Sequence, residues 1–162
     1  MEICSMKLML VDTREKPKAI EGVLRAFDEA GIKYERTKLL FGDYADYNRP
    51  EIVIDRKQNI RELAKNVTIE RSRFVAELNR AKVAGAKLII LVEQNRYKDR
   101  DKWIHVDTIE DLMLWSDKHT SIRGEAVYRR LSGLKYNYNI SVQFCDKRST
   151  GKEILKLIYG EK

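Results

Sequence analysis

Cysteine is almost missing from this chain of 162 residues. Its two thiols, Cys4 and Cys145, lie far apart and fit no zinc-ligand spacing. Two free thiols in a reducing compartment is the simplest reading. Proline is equally scarce, with two residues, and no linker, repeat or low-complexity tract interrupts the chain. The glycine-rich phosphate loops G-x-x-x-x-G-K and G-x-G-x-x-G are both absent, which argues against a nucleotide- or phosphosugar-handling enzyme. No apolar run approaches the ~20 residues of a membrane span, and the start of the chain, acidic at Glu2 with a short apolar run ending at Asp12, is not a signal peptide. The expected location is therefore intracellular: the cytoplasm of a bacterial, archaeal or phage-infected cell, or the nucleus of a eukaryote, with no membrane association. The two histidines, His105 and His119, stand 14 positions apart and away from the acidic clusters, and read as ordinary polar residues.

Charge, by contrast, is plentiful. Charged residues make up 35% of the chain and hydrophobic ones 43%, and 32 Lys+Arg against 25 Asp+Glu leave a formal charge of +7. An excess of that sign favours a polyanionic partner, nucleic acid first. At this length one domain with a sizeable core is expected.

The apolar pattern gives an order of elements. Residues 7–11 form a compact apolar run, read as a buried strand. Pro17 suits the first turn of a helix whose stripe is Ile20, Val23, Leu24 and Phe27 and which Gly31 ends. Strands are expected at 32–40 and 51–57, helices within 59–84, and a strand buried on both faces at 87–93. Residues 95–102 read as a charged loop, followed by helices at 109–118 and 121–131, a strand at 138–144 and a closing helix at 153–159. The order implies one α/β domain with a mixed sheet.

Three polar clusters fall at strand ends: Asp12-Thr13-Arg14-Glu15, Gly42-Asp43 and Asp55-Arg56-Lys57. A strand turns residues i and i+2 to one face, so Asp55 and Lys57 point together and Arg56 points away. Two carboxylates from neighbouring strands make a hard oxygen site suited to magnesium or manganese. Asp43 and Asp55 are the candidate ligands, with Glu15 or Asp12 as a further one. Lys57 would orient a water or stabilise charge on a phosphate. Arg14 and Arg56 have the planar fork that grips phosphate. Arg73, and Arg123 beside Ser121 and Gly124, are further candidate DNA contacts. Trp103, Trp115 and the charged residues of 95–102 are candidates for base stacking and phosphate contact, or for core and solvated surface respectively.

The strings VDTRE at 11–15, GDY at 42–44 and IDRK at 54–57 resemble the XPF-type nuclease domain, whose signature runs V-D-x-R-E, G-D and E-R-K on a restriction-endonuclease-like fold. The likeness is strongest over 8–93 and continues loosely to about 159. It implies a single nuclease domain over 1–162, a mixed sheet flanked by helices, and a magnesium- or manganese-dependent endonuclease acting on flap, fork or junction DNA in repair or recombination. It also implies catalytic roles for Asp43, Asp55, Lys57, Glu15 and Arg56. The chain looks like the compact phage and bacterial forms; nothing in it resembles the tandem helix-hairpin-helix module of many relatives, so a homodimer or a partner protein is expected to supplement its hold on DNA. Two positions depart from the pattern. Asp55 stands where the family has glutamate, one methylene longer. Four residues past the lysine, where the family has an acid, stands Arg61, with Glu62 next to it. Some relatives are catalytically degenerate subunits that only bind DNA, and the alternative for this chain is such an impaired partner.

Overall fold

The computed structural model describes residues 6–160, so Cys4 and most of the opening segment lie outside it. In chain order the elements are β1 (Leu8–Asp12), a 3₁₀ turn at Pro17–Ile20, α1 (Glu21–Glu29), β2 (Lys33–Thr37), β3 (Tyr44–Asp46), β4 (Arg49–Lys57), α2 (Ile60–Val67), α3 (Arg71–Val83) and β5 (Lys87–Val92). There follow β6 (Arg96–Asp99), β7 (Lys102–His105), a 3₁₀ turn at Ile109–Leu112, α4 (Gly124–Asn137), β8 (Ile140–Phe144), a 3₁₀ turn at Lys147–Ser149 and α5 (Thr150–Tyr159).

Six strands form a mixed sheet in the order β2-β1-β3-β4-β5-β8. β1 and β2 are parallel, β3 runs antiparallel to both β1 and β4, and β4, β5 and β8 are parallel. Each face carries its own core. On one side Met9, Val11, Tyr44, Ile54, Ile89 and Leu91 pack against Val23 and Phe27 of α1 and Ile154 and Ile158 of α5. On the other, Ala45, Val53, Leu88, Ile90 and Val92 pack against Ile60, Leu63 and Val67 of α2, Phe74 and Leu78 of α3, and Val127 and Leu131 of α4. This is the α/β architecture, a mixed sheet flanked by helices, that the resemblance implied. Helices α1 and α5 cross closely because Gly151 has no Cβ; one there would lie 2.5 Å from the Ala26 methyl.

Four local expectations are corrected. The strand expected at 32–40 stops at Thr37. Between the strands expected at 32–40 and 51–57 no other is expected, yet Tyr44–Asp46 forms β3, too short at three residues to show an alternation. Residues 95–102 are not a loop: Arg96–Asp99 pairs with Lys102–His105 as an antiparallel hairpin. The helix expected at 109–118 is a single 3₁₀ turn closed by a capping box between Thr108 and Asp111, and Trp115 is buried in the irregular segment after it.

Candidate active site

The sheet's geometry concentrates the polar clusters at one edge. Asp12 closes β1, Asp43 precedes β3, and Asp55 to Lys57 close β4. The backbone ties them together: Asp12 N donates to Asp43 O at 2.8 Å, and Asp43 N donates to Ile54 O at 2.7 Å. Gly42 makes this strap possible. It sits at φ 70°, and a Cβ would lie 2.3 Å from a Val53 methyl. Strand alternation then sorts the side chains. Asp43, Asp55 and Lys57 emerge on the α2–α3 face. Arg56 emerges on the α1–α5 face, where it meets Glu15.

On the α2–α3 face the acids crowd. Asp43 Oδ2 accepts from the Arg56 backbone N–H at 2.8 Å. Asp55 Oδ2 lies 3.1 Å from Lys57 Nζ. A third carboxylate, Glu77 of α3, reaches the same place, and it is not among the residues that the sequence singles out. Burial holds the Asp43 carboxyl well above its usual range, and the nearby charges of Asp55 and Glu15 add to the effect. Burial and then Asp55 push Glu77 up to about 7. Lys57 is held above its ordinary range although burial opposes its charge, because Asp55, Glu77, Glu62 and Asp43 surround it. Glu77 Oε1 is buried without a hydrogen-bond donor, and Asp55 Oδ2 has the Lys57 ammonium beside it but no well-aligned hydrogen bond.

The crowded acids and the donorless Glu77 Oε1 test whether the residues suit a divalent cation. Buried carboxylates that cannot find donors and suppress one another's ionisation are relieved by a compact positive charge. Among the described residues no three acidic, histidine or thiol groups stand close enough together to hold a metal ion as they are placed. The arrangement is instead two adjoining pairs, Asp43 with Asp55 and Asp55 with Glu77, open to a cleft of about 330 Å³ that Lys57, Arg14 and Glu62 also line. An open carboxylate site that leaves room for water and phosphate is how magnesium is usually held.

The α1–α5 face is satisfied. Arg56 Nε and Nη2 donate to the two Glu15 oxygens at 2.6 and 2.9 Å, and Nη1 donates to Glu93 Oε2 at 3.0 Å. All three residues are buried. Glu15 is thus engaged by arginine rather than free, and Arg56 is not exposed for a phosphate. Asp12 is also occupied: it accepts from Arg14 Nε at 2.6 Å and from Leu39 N at 2.8 Å.

The remaining candidates separate. Arg14 and Arg73 are exposed and line, with Lys57 and Arg80, a groove of about 530 Å³ that adjoins the acid cleft. Arg123 is exposed at the start of α4 and does not line either cavity. Glu62 lines both cavities and caps α2, accepting from Gln58 N at 2.7 Å, while Asn59 accepts from Glu62 N. Arg61 turns away to Asp117 at 3.1 Å. His105 pairs with Asp107, and neither histidine lines the acid cleft.

The ERCC4 domain model matches residues 11–158, from the end of β1 to the end of α5. The chain belongs to the ERCC4-domain family. This is the XPF-type nuclease domain, a family of DNA-processing nucleases. Among solved structures, this ERCC4 domain is similar to XPF from Aeropyrum pernix, at 18% identity and a TM-score of 0.62, over 93% of this chain and 62% of that one. The same archaeal protein solved in complex with DNA matches at 19% identity and a TM-score of 0.65, over 94% and 64%. The chain therefore spans under two thirds of the length of those XPF structures. No curated protein sequence matches it. No helix among the described residues of this ERCC4 domain is long and apolar enough to cross a membrane.

Proposed function

We propose that this ERCC4 domain is a magnesium- or manganese-dependent endonuclease that hydrolyses phosphodiester bonds in branched or partly single-stranded DNA. One observation carries the reading: Asp55 adjoins both Asp43 and Glu77 beside Lys57, in a cleft that opens onto an arginine-lined groove. Asp43, Asp55 and Glu77 would hold the cation. Bound there, it would supply a water acidified toward neutrality and neutralise charge on the phosphate. Lys57 would orient that water and donate to the phosphate oxygens as charge grows. Arg14 and Arg73 would hold flanking phosphates along the groove, with Arg80 beside them. Arg56 and Glu15 act as positioning residues. Their buried pairing fixes the end of β4, and the Arg56 backbone N–H in turn holds Asp43 Oδ2.

The test is a panel of single-stranded, duplex, flap, fork and four-way DNA, incubated with each metal and with chelator. Cutting of branched DNA with either metal is expected, lost in Lys57→Ala with DNA binding kept. A second reading, a non-cleaving DNA-binding subunit, draws on Asp55, whose carboxylate is one methylene short and already shared with Lys57. In that case wild type leaves every DNA uncut, and Asp55→Glu restores cutting.

A further inference from the structure

The hairpin of β6 and β7 carries chemistry that the cleft does not use. Its register pairs Arg96 with His105, Tyr97 with Ile104, and Lys98 with Trp103. Residues opposite one another, and those two apart along a strand, share a face. Tyr97 and Ile104 form the inner face: Tyr97 is buried, its hydroxyl donates to Asp111 O at 3.2 Å, and Ile104 packs on the core. Arg96, Lys98, Trp103 and His105 form the outer face. There the indole of Trp103 stands 57% exposed, with the Arg96 guanidinium 4.6 Å and the Lys98 ammonium 5.2 Å from the ring. Asp107 pairs with His105 at 2.8 Å, and Asp146, which Arg148 holds, lies within reach of the Arg96 charge.

We infer that this outer face is a binding platform for an unpaired stretch of DNA, in which a base stacks on Trp103 and the neighbouring phosphates lie on Arg96 and Lys98. An exposed indole framed by cations matches a strand that offers flat apolar bases and phosphates alternately. A duplex hides its base faces, and an acidic peptide would use the cations but leave the indole without a partner. The inner face and two anchors hold the platform in place: Gln94 accepts from Ile60 N at 2.9 Å, and Val106 N donates to Asn95 O at 2.8 Å. The platform also grows from the catalytic edge. Glu93 N donates to Lys57 O, and Arg96 follows three residues later, about 10 Å along an extended chain. The inference rests on the DNA-cleaving reading for its role, since it would place the unpaired arm of a branched substrate beside the acid cleft, but the contact itself is measurable without cutting.

The full chain, without divalent metal, is titrated with single-stranded oligothymidine and with blunt duplex. Fluorescence and labelled-DNA anisotropy are followed. The chain has two tryptophans and Trp115 is buried, so quenching by bases reports Trp103. Single strand is expected to quench and duplex to leave the signal unchanged. Trp103→Ala should lower single-strand affinity by roughly five- to a hundredfold, and Trp103→Phe, which keeps a ring, should retain most of it. Lys98→Ala should reduce the salt dependence of binding by about one unit of slope. A Trp103→Ala protein with native circular dichroism that binds single strand within about twofold of wild type would overturn the platform, as would an equal loss on duplex. Quenching with no cleavage under any metal would keep the platform and sink the nuclease reading instead.

Discussion

The two faces of the sheet, at the ends of its central strands β1, β3 and β4, treat buried charge in opposite ways. On the α1–α5 face, Arg56 stands between Glu15 and Glu93 and makes three charge-assisted hydrogen bonds. On the α2–α3 face, Asp43, Asp55 and Glu77 crowd around Lys57, which pairs with Asp55 at 3.1 Å, and Glu77 Oε1 is buried without a donor. Both sets come from one short stretch, since Asp55, Arg56 and Lys57 are consecutive and alternate across β4. The difference teaches that the same motif does two jobs: its middle residue fixes the strand end, and its outer residues are left electrostatically unsatisfied where a cation and a phosphate can satisfy them. Strain of that kind persists only where the surrounding fold enforces it.

The largest effect should come from breaking the satisfied face. Arg56→Ala leaves Glu15 and Glu93 buried and unpaired, and unfolding free energy is expected to drop by about 3–5 kcal/mol in chemical denaturation. A loss below about 1 kcal/mol would mean that the pair is not buried in solution. Asp43→Asn keeps an oxygen for the Arg56 backbone N–H and removes a repelling charge. Thermal stability should hold or rise while branched-DNA cutting falls by more than about a hundredfold; a parallel loss of stability would erase the contrast between the faces.

Asp43 and Glu77 have folded-state pKa values above their ordinary ones, so they favour the folded chain while protonated. That contribution is full below the ordinary carboxylate range near 4 and fades as pH rises toward about 7, the value for Glu77. Metal-free melting temperature should therefore fall across that window, and the rise caused by added manganese should grow across it. Calorimetry that shows no dependence there would speak against the crowded acids. Glu77→Gln should flatten both trends and weaken manganese binding by roughly tenfold or more. The smallest effect is expected for Asp55→Glu, a change of a few-fold in cutting rate, because Glu77 already reaches the same position from α3.

Much of this was readable from the chain alone. The alternation in β4 separates Arg56 from Asp55 and Lys57, and the stripes of Phe27, Leu63 and Phe74 set helices against strands. The archaeal structures share that fold. Glu77 was not legible, because next to Leu78 it looks like one more polar residue on a helix; only its approach to Asp55, across 22 positions of chain, reveals it. The hairpin was hidden because its outer face is charged and only Tyr97 and Ile104 face inward, too few to show a period. The 3₁₀ turn at Ile109–Leu112 was over-read as a helix because Trp115, buried by tertiary contact, mimicked a helical stripe. The pairing of Glu15 with Arg56, 41 residues on, was equally hidden, because its place beside Asp12 and Arg14 says nothing of a partner on another strand.

The central claim is that the unsatisfied acid face performs metal-dependent cleavage. The most direct test incubates wild type and Asp43→Asn with flap and four-way DNA, with magnesium, manganese or chelator. Cutting of branched DNA by wild type with either metal, none with chelator and none by a stable, DNA-binding Asp43→Asn protein is the expected result. Uncut DNA under every condition by a well-folded wild type, or equal cutting by the two proteins, would contradict it.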